Sequence, residues 1–424
     1  MNNKKWMAIL LGGIMAASLA APCSVSAAEK TTLTFWHAMG GTNGEVLQQI
    51  VDDFNASQDE IEIKAEYQGT YDDTITKLKA AMQSESGLPD VCQMYDVGTK
   101  FMYDSGAVIP VEDKFESTGY DKSSVMDVIS SYYTVEGKQY AMPFNVSTPM
   151  LYYNKDVFEA AGLDPETPPT TYDEVLEDAK KIVESGAAPV GYSQAIYGWF
   201  FEQQLAGLGV TYGNNDNGRT EAVTAVDFDS NGGGLKVFDM WKKLYDSGYF
   251  EDYGTTTADT QTAFFSGQVG MIIESTAILK NAVDSSPFEV GTGYLPRIEQ
   301  NDEGGVIIGG GSLWLTDTGN EANEDAAWKF IEYITTPDVQ AKWSMGTGYF
   351  AINEKAYETD DMKAYLEENP NFMTAINQLK DSPVNCNTAG VLSGVQTEAR
   401  LTFNEIMPQV YDGKLTTQDA VDQL

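Results

Sequence analysis

The chain has 424 residues, 63 of them Asp or Glu against 26 Lys or Arg, for a formal charge of −37. Such acidity excludes binders of nucleic-acid backbones, which need basic groups to neutralise phosphates, and it disfavours adsorption to anionic lipid. The length exceeds what one hydrophobic core supports, so two domains are expected.

In chain order, Lys4 and Lys5 precede an apolar stretch from Met7 to Ala21, and Ser24-Val25-Ser26-Ala27-Ala28-Glu29 follows with small residues. This is the layout of a secretory signal over residues 1–28. The apolar run is short for a membrane span, which wants about 20 residues. Removing it takes the charge to −39. The protein is expected to be exported, to a periplasm or the outer face of the cytoplasmic membrane; Cys23 leaves lipid attachment open, although Pro22 stands where a small residue is expected. Cys92 and Cys386 remain, nearly 300 positions apart. They read as separate thiols, though an exported protein permits a disulfide.

Strand and helix signals then alternate, the pattern of an α/β protein. Leu33 to Trp36 reads as a first strand. Thr42 and Glu45 have capping-box spacing before a helix face of Val46, Ile50 and Phe54. Ile61 to Ala65 alternates like a strand, and Ile75, Leu78 and Met82 form a helix face ended by Gly87. Val91 to Tyr95 is the next strand, so Asp96 falls at its carboxyl end, where open α/β sheets bind ligands. Tyr140 to Pro149 reads as an extended crossover leading into a strand at Met150 to Tyr153. Thr171 and Glu174 repeat the capping-box spacing. Asp227, Asp229, Asn231 and Gly232 imitate half a calcium loop, but the twelfth position is Phe238, so a turn before a helix is expected instead. Gly309-Gly310-Gly311-Ser312 has no Lys-Ser/Thr pair to make a phosphate loop. It reads as a tight strand-end turn, or as backbone brought close to an anion.

Catalytic motifs are scarce. The single histidine, His37, follows Phe35-Trp36 and reads as a packed structural group. No histidine–cysteine metal pattern and no G-x-S-x-G elbow accompany it. The pattern calls for no metal and no cofactor. A glycosidase-type carboxylate pair is formally available among so many acids, but nothing singles out two of them. A secreted hydrolase is thus only a remote alternative to a non-enzymatic binder.

An ordered set of short stretches carries a resemblance. They are Phe35-Trp36-His37 with Met39 and Gly41, Tyr67-Gln68-Gly69-Thr70-Tyr71, Tyr95-Asp96-Val97-Gly98-Thr99, and Pro143 to Pro149 running into Leu151-Tyr152-Tyr153-Asn154-Lys155. Ile307 to Trp314, Thr347-Gly348-Tyr349 and Arg400 complete the set. In this order and spacing the chain resembles the family-1 extracellular solute-binding proteins, and within them the branch that takes glycerol phosphates and glycerophosphodiesters. The resemblance implies a two-lobed periplasmic-binding-protein fold of type II, with hinge closure on a ligand in the cleft. It implies a substrate-binding component of an ABC importer: a monomer that partners membrane permease subunits with their ATPase and catalyses nothing. The lobes are expected as residues 29–141 plus 275–330, and 142–274 plus 331–424.

The resemblance also implies a site. Tyr71 and Asp96 would hold glycerol hydroxyls. Ser147, Ser275, the Gly310 backbone N–H, Tyr349 and Arg400 would cradle phosphate, with Trp199 as an aromatic wall. The residue chemistry agrees in kind, since a phosphate suits a guanidinium fork, hydroxyls and free N–H groups. Arg400 is one of three arginines, with Arg219 and Arg297. If it serves the cleft alone, its removal should leave melting of the unliganded protein unchanged. The chain departs from the family pattern in two places. Asp96 stands where glutamate is usual, and Ile196 replaces the first tryptophan of a Trp-x-x-Trp pair whose second is Trp199. The aliphatic wall favours a bulkier glycerophosphodiester, such as glycerophosphocholine, over glycerol-3-phosphate. A sugar or oligosaccharide is the alternative ligand.

Overall fold

The computed structural model describes residues 30–84 and 87–424, so the expected signal segment lies outside the described residues. Twelve strands appear among them: β1 (Thr31–His37), β2 (Ile61–Tyr67), β3 (Val91–Tyr95), β4 (Val108–Ile109), β5 (Thr134–Val135), β6 (Lys138–Gln139), β7 (Met142–Ser147), β8 (Pro149–Asn154), β9 (Val190–Ser193), β10 (Val269–Ser275), β11 (Val290–Gly293) and β12 (Gly309–Thr316). β1, β2 and β3 fall on the segments read as strands from the sequence. β5 and β6 form a separate hairpin.

The other strands make two sheets. The first runs β2-β1-β3-β12-β4, with β7 also paired to β12; the second runs β11-β8-β10-β9. β1 pairs in parallel with both β2 and β3, whereas β12 lies antiparallel between β3 and β7. β8 is buried on both faces. Met150 and Tyr152 enter one hydrophobic core while Leu151 and Tyr153 enter the other, the period of two expected of a strand. The result is the α/β, two-lobed architecture expected from the sequence.

The lobe boundaries differ from the sequence reading. The first crossing falls at Thr148, the one residue between β7 of the first sheet and β8 of the second. Residues 269–293 remain in the second sheet through β10 and β11, so the second crossing lies in 294–308 and not near 275. Helices Glu321–Ile334 and Pro337–Thr347 pack on β1 and on helix Gly41–Ser57, which keeps them with the first sheet. Helix Asn371–Asp381 packs on β11, and helix Gln396–Tyr411 on helix Gly198–Gly207, so the third crossing lies between 348 and 370. The first crossing is tied to the second lobe. Thr276 N–H donates to the Thr148 carbonyl at 2.9 Å, and Gln378 Nε2 to that of Pro149 at 2.7 Å.

Two local expectations separate in the same way. Thr171 and Glu174 form the capping box of helix Tyr172–Ser185. Thr42 and Glu45 do not, because helix Gly41–Ser57 begins with Gly40 at its N-cap and Thr42 already lies inside its first turn. An unforeseen box, Thr70 with Asp73, starts helix Tyr71–Gln83 and places Tyr71 at its first position. Asp227 to Gly232 make the expected turn, with the Asn231 side chain accepting from Gly233 N at 2.9 Å, before helix Gly233–Asp246. Cys92 and Cys386 are both free thiols.

Candidate functional site

β3 ends at Tyr95, and Asp96 opens a short 3-10 turn beyond it, at the carboxyl edge of the first sheet. Next to it, Gly309-Gly310-Gly311 open strand β12 and do not form the expected turn. Each glycine admits a neighbour that a side chain would exclude. A Cβ on Gly310, whose φ is 86°, would stand 1.9 Å from the Asn145 carbonyl oxygen. One on Gly309 would stand 2.7 Å from the Trp199 indole, and one on Gly311 3.3 Å from the Tyr71 hydroxyl. Ser147, at the end of β7, lies opposite Gly309.

Around this strand the polar groups are coupled. Asn145 donates to the Tyr71 hydroxyl at 2.7 Å and accepts from Gln93 at 2.7 Å. The Tyr71 ring stacks on Tyr95 at 5.1 Å with the planes 7° apart, and Tyr349 stands beside Tyr71 and Asn145. Burial pushes the Tyr71 phenol well above its ordinary range, with the nearby Tyr349 adding to the effect, so it remains a neutral donor. Ser275 sits apart, at the end of β10 opposite Pro149. Its hydroxyl accepts from Ala277 N at 3.2 Å, and its carbonyl accepts from Tyr152.

The second lobe supplies the charged centre. Gly198 permits helix Gly198–Gly207 to touch helix Gln396–Tyr411, since a Cβ there would lie 2.5 Å from Arg400 Cα. One turn on, Glu202 therefore faces Arg400. Glu202 grips the guanidinium with both oxygens, accepting from Nε and Nη2 at 2.7 Å each, and Asp96 accepts from Nη2 at 2.7 Å. Gln396, one turn before Arg400, also donates to Glu202, at 2.6 Å. Arg400, Asp96 and Glu202 are 8, 5 and 5 % exposed. Burial acts against the Arg400 charge, but the two carboxylates prevail and hold its pKa well above the ordinary value. Arg400 therefore does not serve the cleft alone: it also forms ion pairs with two buried acids, Asp96 and Glu202.

The structure thus gathers Tyr71, Asp96, Ser147, Trp199, Gly310, Tyr349 and Arg400 where the lobes meet, and leaves Ser275 at the edge. Sequence reading missed Asn145, although it lies within a quoted motif, and Glu202, whose four-residue spacing from Gly198 was the available signal. Trp199 Nε1 is buried along the same seam with no hydrogen-bond partner among the described residues. Such atoms are costly unless something else satisfies them. His37 lies elsewhere, packed between Phe35 and Tyr67, with its Nδ1 accepting from Met39 N at 3.3 Å. It is the structural group expected.

Residues 49–374 match the model of the bacterial extracellular solute-binding proteins. The chain is 32% identical over 399 residues to the sn-glycerol-3-phosphate-binding periplasmic protein of Escherichia coli K12, spanning 92% of this chain and 90% of that one. Among solved structures, UgpB from Mycobacterium tuberculosis in complex with glycerophosphocholine superposes with a TM-score of 0.79 at 21% identity, covering 93% of this chain and 96% of that one. The cyclic α-maltosyl-1,6-maltose binding protein from Arthrobacter globiformis gives 0.76 at 25% identity, covering 93% and 97%.

Proposed function

The chain belongs to the bacterial extracellular solute-binding proteins, and from that membership we propose that it captures a glycerophosphodiester, or glycerol-3-phosphate, for an ABC importer. It delivers the ligand as a monomer to permease subunits driven by their ATPase, and it turns nothing over. The observation that carries the ligand class is the state of Arg400. Glu202 and Asp96 occupy its Nε and Nη2 hydrogens, while Nη1 has no partner among the described residues. Nη1 is then a preoriented, charge-assisted donor for a phosphate oxygen. Tyr71, Asp96 and Asn145 suit the glycerol hydroxyls, and Trp199 offers a face and an unpaired N–H.

A second reading, a neutral sugar, has its own observation. Two acids on one guanidinium give the centre a formal charge of −1, and hydroxyl ligands favour carboxylates beside an aromatic face.

Calorimetry on the exported protein with glycerophosphocholine, glycerol-3-phosphate, maltose and xylo-oligosaccharides separates the readings. The expected result is binding of a phosphate-bearing ligand that is recovered intact, and a ten- to hundredfold loss in Arg400→Ala, since a charge-assisted bond is worth about 1.5–3 kcal/mol. Binding of sugars alone, with Asp96→Ala and Trp199→Ala dominating, establishes the second reading. Hydrolysis that survives repurification would revive an enzyme.

A further inference from the structure

At one margin of the cleft the backbone takes an uncommon path. Asn215, Asp216 and Asn217 stand in succession at φ 55°, 53° and 58°, followed by Gly218 at 78°. Side-chain-bearing residues occupy this left-handed region at a steric cost, Asn and Asp least. A run of three persists only where its surroundings over-determine it. Here Asn217 does so: its Oδ1 accepts from Tyr212 N and Gly213 N at 2.8 and 2.9 Å, and its Nδ2 donates to the Cys386 carbonyl at 2.9 Å.

The turn delivers Arg219. This guanidinium meets no carboxylate among the described residues. Nη1 donates to the Tyr132 carbonyl at 2.9 Å, Nε to that of Gly390 at 3.1 Å, and Nη2 to those of Gly390 and Ala389. Its central carbon lies 5.1 Å from the centre of the Tyr132 ring, a cation–π distance. Gly390 keeps that ring in place from another side, because a Cβ there would stand 2.9 Å from it. Tyr132 precedes the first crossing at Thr148 and so belongs to the first lobe, whereas Arg219 and its turn belong to the second. The contact therefore joins the lobes. Beside it lies a cavity of about 660 Å³ bordered by Ser130, Ser131 and Thr134 of one lobe and Asp216, Arg219 and Cys386 of the other.

Tyr132 is 3% exposed, and its hydroxyl has no hydrogen-bond partner among the described residues. Asp96, Arg400 and Glu202 all act electrostatically on that phenol, so it lies within the field of the charged centre. No feature of the sequence marked either residue.

We propose that Tyr132 is a ligand-contacting residue of the cleft, and that Arg219 is the positioning residue that braces it by clasping the closed lobes. The phenol donates to a ligand oxygen. Arg219, which forms no ion pair among the described residues, adds a positive charge to that margin. The inference rests on the solute-binding reading but not on the identity of the solute.

The test compares the exported protein with Tyr132→Phe, Arg219→Ala and Arg219→Lys. Calorimetry and stopped-flow use glycerophosphocholine and maltose as probes, and small-angle scattering is measured without any probe. Tyr132→Phe is expected to melt like the parent and to bind the active probe about three- to tenfold more weakly, the loss of one hydrogen bond. Arg219→Ala is expected to release the probe faster and, unliganded, to show a larger radius of gyration. Lysine should restore only part, since a point charge cannot serve three carbonyls. Unchanged affinity in Tyr132→Phe overturns the contact. An Arg219→Ala protein with the parent's dissociation rate and radius overturns the clasp. If the parent binds neither probe, the ligand assignment fails while scattering still decides the clasp. If Arg219→Ala does not fold, Arg219→Lys is read against the same criteria.

Discussion

Arg400 shows how a residue can serve both a ligand and the fold. Glu202 and Asp96 are buried against it, so Arg400→Ala strands two carboxylates in addition to removing a ligand donor. Breaking a buried pair in this way costs about 3–5 kcal/mol, and the unliganded variant is expected to melt well below the parent. Calorimetric melting checks this, and an unchanged transition would restore the view that the side chain serves only the cleft. His37 gives a separate signature. Burial lowers its pKa to about 4, against an ordinary value of 6.5. Between those values the unfolded chain binds a proton that the folded chain refuses. Stability from this group is therefore present above pH 6.5 and declines as the pH falls towards 4. His37→Gln should melt with a shallower pH dependence over that interval; equal slopes would assign the acid sensitivity to other groups.

At the scale of elements, β12 holds the site together because its first residues lack side chains. Gly310→Ala would set a Cβ against the Asn145 carbonyl, a backbone atom that cannot swing aside, and would do so at positive φ. The expected outcome is loss of ligand binding with lowered stability as β7 is pushed from β12. Gly319→Ala, also at positive φ but with open space around it, is the control and should affect stability alone. Binding retained in Gly310→Ala would show that the close approach is dispensable.

Over the whole molecule, the charge of −37 works against compaction. Most ion pairs among the described residues are lysine–carboxylate contacts at the surface, such as Lys236 with Glu299 and Lys329 with Glu60, worth little individually. Screening the net repulsion should outweigh screening those pairs. The melting temperature is expected to rise between about 10 and 150 mM salt, where the Debye length falls from roughly 30 to 8 Å. A fall would mean that the surface pairs dominate.

Sequence alone determined what depends on neighbours along the chain. Strict alternation marked β2 and short apolar runs marked β1, β3 and β8, the threonine–glutamate spacing marked the helix at 172–185, and an ordered set of short motifs marked the family. Tertiary structure decided what depends on distant partners. No local pattern tells that β10 pairs with β8 and β9, so the sequence could not place the second crossing. Likewise Arg400, Glu202 and Asp96 are separated by about 100 to 300 residues, and nothing along the chain shows that they share one ion cluster. Only helix packing through Gly198 and closure of the lobes bring them within 2.7 Å. Local propensity is written in adjacent residues, whereas a buried ion cluster exists only once desolvation forces its members to satisfy one another.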